Sequence, residues 1–369
     1  MAAVAAVLSA QPEPQKLVYT GELGTLYRIA AVNLLLSILT LGFYRFWGRA
    51  KLRRYLWGSM VLDGDAFEWD GTGWEMCRSF LIVSAIALVL SAPAYALTLA
   101  GPAYAEQLAA YQTLLGLVIM MLIGAATMLG LRYRLSRSRW RGIRGDLEGS
   151  PWTYSWRNFG WLLAHAPTLF LIHPLATIDL RRWLIRRVRP GTVTLECHAR
   201  AGAVYPAFFG TIALSIALLA LFFALLFGGI VTGAVVGVLS DVSQEEVEEI
   251  GFVVGLALML LVLAAWPCAS AIYHASLFRH LAATTRGGGL TFVTEVSGAR
   301  LFWLRFSNFL ILGITLGIGL PFVWHRRARF LAANLAVLGL EDAHLVGQAA
   351  GRPTRSAEGL LEVLDLGAV

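Results

Sequence analysis

The chain has 369 residues, 57% of them hydrophobic and only 14% charged, with a mean hydropathy of +0.66. So little charge cannot cover the surface of a soluble domain, and continuous apolar runs, rather than short alternating ones, exclude a membrane β-barrel. The net charge of +7 is modest, and three scattered cysteines (Cys77, Cys197, Cys268) offer neither a disulfide framework nor a CxxC metal site.

Residues 1–18 read as a tail, because the opening MAAVAAVLSAQPEPQK lacks the basic stretch of a signal peptide. Next comes a weak apolar segment, 26–46, interrupted at Thr40-Leu41-Gly42. Arg45, Arg49, Arg53 and Arg54 follow it, the first three at helical spacing. Residues 62–74, LDGDAFEWDGTGW, alternate and carry Asp-Gly, so they predict a small β-hairpin. Strong apolar segments at 80–101 and 111–131 predict two spans, and Arg134, Arg137, Arg141 and Arg144 follow the second.

A second weak segment, 156–178, is broken by Pro167 and Pro174 and followed by Arg181 and Arg182. Residues 191–197 and 290–296 read as strands that pair with each other. Between them lie apolar segments 205–240 and 251–275, two further spans joined by the acidic DVSQEEVEEI. The first of these is long enough to need a tilt. A third weak segment, 303–324, breaks at Thr315-Leu316-Gly317 and leads into Arg326 and Arg327. Residues 347–369 read as a second tail.

The distribution of cations sets the expected topology. Short loops rich in Lys and Arg lie in the cytoplasm, and every weak segment has cations on both sides, whereas the 102–110 and 241–250 connections have none. A single crossing by a weak segment would break this bias, and a segment that enters and leaves on one face would not. The three breaks are therefore expected to be re-entrant turns or kinks, leaving four true crossings and both termini in the cytoplasm.

The weak segments also repeat. NLLLSILTLGFYRFW and NFLILGITLGIGLPFVW place Asn33 and Asn308 at the same distance before Thr40 and Thr315. RNFGWLLAHAPTL keeps Asn158 and Thr168 but loses the glycine that Gly42 and Gly317 supply. The expected fold is an all-α multi-pass membrane protein built from parallel repeats, each a broken segment plus a two-span hairpin, with short cytosolic strands. The expected divisions are 19–150 and 151–302 for two full units and 303–346 for a third half-unit.

The strings LTLGFYRFWGRAKLRRYLW, LDGDAFEWDGT, LRYRLSRSRWRGIRG and LFRHLAATTRGGGLTF resemble the YjgN-like family of bacterial inner-membrane proteins, a family of unknown function, over about residues 19–346. The resemblance implies a bacterial inner-membrane, multi-pass protein. It supplies no activity, substrate or catalytic residue.

Each candidate site has two readings. The arginine stripes either bind a specific anionic lipid head group or anchor generically to the negative cytoplasmic leaflet, at about 1 kcal/mol per basic residue. Their place beside spans argues against nucleic acid. Asn33, Asn158 and Asn308, with Thr40, Thr168, Thr315, Gly42 and Gly317, either line a polar path or cap and tie broken helices. His165 and His173, eight residues apart, do not match a metal-ligand spacing. Asp63 and Asp65 suit turn positions.

With no catalytic motif in the chain, no enzyme activity, metal or cofactor is expected. The broken helices put a passive conduit or lipid-handling transporter first, with a polar cavity near the threonines. A membrane scaffold without transport, joined by a homo-oligomer or protein partners, is the alternative. An enzyme at the cytosolic face, resting on Asp63 and Arg54, is the third.

Overall fold

The computed structural model describes residues 14–239, 244–340 and 347. The described chain is mostly helical, and its strands are two to five residues long. They are β1 (Gln15–Tyr19), β2 (Met60–Leu62), β3 (Asp65–Trp69), β4 (Ser138–Trp140), β5 (Ile143–Leu147), β6 (Val188–Pro190), β7 (Glu196–Cys197), β8 (Thr285–Gly287), β9 (Leu290–Thr294) and β10 (Leu335–Leu338).

Dipeptide turns fold the strands onto each other. Asp63-Gly64, Arg141-Gly142 and Gly288-Gly289 all have positive φ, the two-residue turn whose twist matches antiparallel strands. Asp63 and Asp65 thus sit at a turn, as expected. The strands make one sheet in the order β6-β5-β4-β3-β2-β1-β10-β9-β8-β7. Two expectations change here. Residues 15–18 are not tail but strand, with Lys16 opposite Ala336 and Leu17 opposite Leu62. The strands within 191–197 and 290–296 do not pair with each other, because β8 lies between them and bonds to both.

The helices leave the sheet in pairs. Hairpin A is α1 (Leu23–Leu39) and α2 (Arg45–Gly58), between β1 and β2. A long pair, α3 (Gly73–Ala100) and α4 (Ala105–Arg137), lies between β3 and β4. Hairpin B is α5 (Pro151–His165) and α6 (His173–Ile185), between β5 and β6. A second long pair, α7 (Tyr205–Leu239) and α8 (Gln244–Thr284), lies between β7 and β8. Hairpin C is α9 (Gly298–Ile314) and α10 (Leu320–Asn334), between β9 and β10. In each case the flanking strands are hydrogen-bonded neighbours in the sheet.

Among the described residues, α3, Pro102–Arg137 and Tyr205–Ala224 are long and apolar enough to cross a membrane, which makes the chain a helical membrane protein. The long run from Tyr205 is one continuous helix of 35 residues. Residue 240, the end of an expected span, residues 241–243, within the expected outer connection, and 348–369, within the expected C-terminal tail, lie outside the described residues.

Two compact units partition the chain. The first holds residues up to Ala199, Ala282–Val293 and the chain from Ala328. Its sheet collects an apolar cluster from Leu62, Leu290, Val337 and Leu340, flanked by Leu17, Phe67, Trp140 and Phe292. Helix α3 begins with a capping box, in which Thr72 accepts from the Glu75 backbone and Glu75 reaches back. It packs on α2 through Phe46, Ala50, Met76 and Cys77, and Gly73 lies against the Trp47 backbone. Helix α4 packs on α5 where a Cβ on Gly124 would stand 2.6 Å from the Ser155 Cα.

The second unit holds Arg200–Leu281 and Thr294–Arg327. There Thr211 on α7 donates to the Ala269 carbonyl on α8 (3.3 Å), and α8 turns buried Cys268, Ala269, Ala271 and Ala275 inward. Gly298, just after the Ser297 cap of α9, lies over Ile272 of α8.

Candidate functional site

The three helical hairpins share one way of breaking. In hairpin A the helix ends at Leu39, and the Gly42 amide reaches five residues back to the Ser37 carbonyl (2.7 Å). In hairpin B Phe170 bonds to His165 (2.9 Å), and in hairpin C Gly317 bonds to Leu312 (2.9 Å). These are Schellman-type helix ends, which need left-handed residues at the turn. Leu41 and Gly42, Leu169 and Phe170, and Leu316 and Gly317 all have φ between 48° and 89°. The glycine missing from the second copy is replaced by Phe170, which takes the same conformation at φ 61°.

The threonines serve these turns. Thr40 donates to the Leu36 carbonyl (2.7 Å), Thr168 to Ala164 (2.7 Å) and Thr315 to Ile311 (2.6 Å). Thr40 also accepts from the Tyr44 amide (2.9 Å) and Thr315 from the Gly319 amide (2.9 Å). The hydroxyls therefore hold backbone, the role that a broken helix requires of them.

The turn tips are apolar and open. Leu41 is 92% exposed, Leu316 91% and Leu169 81%, with Ile38, Leu39, Phe43, Phe170, Ile314 and Ile318 exposed around them. A left-handed conformation costs a leucine about 1–2 kcal/mol relative to its right-handed form, and Asn, Asp or Gly meets less strain there. An aqueous tip would favour those polar residues.

Seven residues before each threonine, a side chain ties the arms together. Asn33 donates to the Gly48 carbonyl (3.1 Å), packed so closely that a Cβ at 48 would meet it at 3.0 Å. Asn308, 3% exposed, accepts from Arg326 (2.9 Å). In hairpin B the residue at this position is Trp161, not Asn158, and its indole donates to Asp179 (2.8 Å). Asn158 instead lies beside Gly124. Asp179 also takes a two-pronged bond from Arg157 and lies 3.6 Å from Arg182.

The sequence reading missed Asp179, Arg157 and Trp161. The usable signal was counting from the threonine rather than from the asparagine: Asp179 stands eleven residues after Thr168, as Arg326 does after Thr315.

The predicted arginines divide into several environments. Arg45 is exposed and lies over the Phe46 and Phe80 rings (4.9 and 4.6 Å). Arg49 is half-buried, and Arg53 is buried over Trp69 (5.4 Å), so this run does not present a single lipid-facing stripe. Arg54, Arg181 and Arg327 are exposed, and Arg134 and Arg144 half-buried. Arg137 pairs with Glu75, which also accepts from Tyr133 (2.9 Å). Arg141 bonds to Asp65 (2.5 Å) and Asp63 (2.9 Å) across the sheet turns. The Asp65 bond leads in holding its guanidinium pKa above the ordinary value, against the opposing pull of desolvation. The Asp63 carboxylate thus engages Arg141. His165 and His173 meet edge to face at 5.6 Å between ring centroids, with His165 bound to the Trp161 carbonyl.

A family model described as "Bacterial protein of unknown function (DUF898)" matches residues 14–363. The chain belongs to this family. The match takes in β1, every hairpin and β10. The chain is similar to "Inner membrane protein YjgN" of Salmonella typhimurium, 29% identical over 157 residues, which is 42% of this chain and 36% of the relative. The same-named protein of Escherichia coli K12 is 28% identical over 148 residues, 40% of this chain and 33% of the relative. The matched stretch thus spans about a third of each relative's length. No solved structure matches the chain.

Proposed function

We propose that this protein is a lipid-organising scaffold of the bacterial inner membrane, with hairpins A, B and C embedded in the cytoplasmic leaflet. The relatives' printed name supports the location. Because both ends of every helical pair join neighbouring strands of one sheet, each pair must return to the side it left. With that sheet in the cytoplasm, the α3–α4 and α7–α8 pairs cross twice each, and the shorter hairpins dip and return.

The observation that carries the reading is the exposed leucine at each left-handed tip. Hydrocarbon offsets its backbone strain, and water would not. Irregular backbone at membrane depth needs its polar groups satisfied, and the threonine and Schellman bonds do that within the hairpin.

Spin labels at Leu41→Cys, Leu169→Cys and Leu316→Cys, in protein lacking its native cysteines, test the reading in nanodiscs. Collision with oxygen should exceed collision with a water-soluble nickel chelate at all three sites. Chelate access equal to that of a sheet-turn label would overturn it.

A lipid-handling transporter is the second reading. The polar Arg157–Asp179–Trp161 cluster inside hairpin B favours it, because the cluster could meet a head group. Reconstituted protein that exchanges fluorescent lipid between leaflets, and loses this with Asp179→Asn while still folded, would establish it over the scaffold. No catalytic step is proposed.

A further inference from the structure

We infer that hairpins A, B and C add protein to the cytoplasmic leaflet alone, so that the protein partitions toward membrane whose cytoplasmic leaflet is convex. The inference rests on the leaflet reading above. If hairpins A, B and C stop within the cytoplasmic leaflet, their six arms of 13 to 17 residues displace lipid only there. The four long helices displace lipid in both leaflets. A helix is about 10 Å across, so six extra arms add roughly 500 Å² of protein cross-section to one leaflet and none to the other.

Two features keep that excess at a fixed depth. Each hairpin is clasped between its arms, by Asn33 to Gly48, Trp161 to Asp179 and Asn308 to Arg326, so the arms cannot splay flat along the interface. Each also begins and ends at paired strands, so its feet are held together at the sheet. The exposed cations Arg54, Arg181 and Arg327 lie in the second arms of the hairpins, away from the turn tips, as suits the head-group layer, whereas Arg45 opens its arm beside the Gly42 turn. A body wider in one leaflet lowers its energy where that leaflet is stretched, which is on a convex surface. The partner is the bilayer itself, recognised by shape and by acidic head groups.

The test uses the full chain with Cys77, Cys197 and Cys268 replaced by Ala and Ala66→Cys added on β3. It is reconstituted into giant vesicles of phosphatidylethanolamine and phosphatidylglycerol. An impermeant fluorescent maleimide marks only copies whose sheet faces outward, and a membrane tether is then pulled from the vesicle. The inference predicts a dye-to-lipid ratio on the tether above that on the vesicle, rising as the tether narrows. A ratio at or below that of the vesicle at every radius overturns it. The Leu41 depth measurement separates the two possible failures. A tip in hydrocarbon without enrichment defeats the curvature inference alone, and a tip in water defeats both readings.

Discussion

Replacing tip leucines by aspartate gives opposite signs in water and in lipid. Leu41 has φ 51° and is 92% exposed, and Leu316 has φ 48° and is 91% exposed. Neither side chain is packed, so no cavity forms when it is removed. In water, Leu41→Asp would relieve about 1 kcal/mol of left-handed strain and cost little else, leaving the protein unchanged or slightly more stable. In hydrocarbon, an aspartate near the centre of the bilayer costs about 2.5–3.5 kcal/mol. After the relieved strain, the net loss is roughly 2 kcal/mol per tip, and about 4 kcal/mol for the Leu41→Asp, Leu316→Asp double variant if the sites act independently. Reversible unfolding in bicelles measures this directly. Equal or higher stability of the double variant would refute the leaflet reading, because no aqueous tip should lose stability from the change.

Other expectations rest on packing and charge. Gly124→Val should lower the unfolding temperature by the equivalent of about 1–3 kcal/mol, since its Cβ would stand 2.6 Å from Ser155 Cα. Gly116→Ala on the same helix meets nothing within 4 Å and should cost no stability in the same thermal scan. Asp179→Asn should cost about 2 kcal/mol in bicelle unfolding, between exposed and buried ion pairs because Arg157 remains 44% exposed, and Asp179→Glu should restore part of it. Burial, with Tyr55 nearby, pushes the Tyr19 hydroxyl pKa up to about 12. The unfolded chain ionises first, so stability should fall as pH rises from tyrosine's ordinary range toward 12, and Tyr19→Phe should flatten that slope in a pH series of unfolding curves.

The breaks were legible in the sequence because their determinants are local. Thr40-Leu41-Gly42 carries the hydroxyl, the left-handed leucine and the glycine within three residues, and cations flank each copy. The sheet was not legible as a whole, since its closing pair joins Lys16 to Ala336 and its strands are too short to show periodicity. The same distance hid the partners of the arginines. Arg137 meets Glu75 sixty-two residues away, and Arg141 meets Asp63 and Asp65 through strand pairing. In hairpin B Asn158 was a poor anchor, whereas the threonine, tied to the turn by a hydrogen bond, keeps the register that brings Trp161 and Asp179 together.

Impermeant thiol labelling of intact spheroplasts tests most directly whether all three short hairpins return to the cytoplasm. Single cysteines at Ala105, Gln244, Met60, Arg189 and Leu335 would be introduced into a chain whose native cysteines are replaced by Ala. Reaction at Ala105 and Gln244 only, with the other three sites labelled after lysis, is the predicted result. Labelling of Met60 or Arg189 from outside would contradict the account, because a hairpin would then have crossed the membrane and left its paired strands on opposite sides.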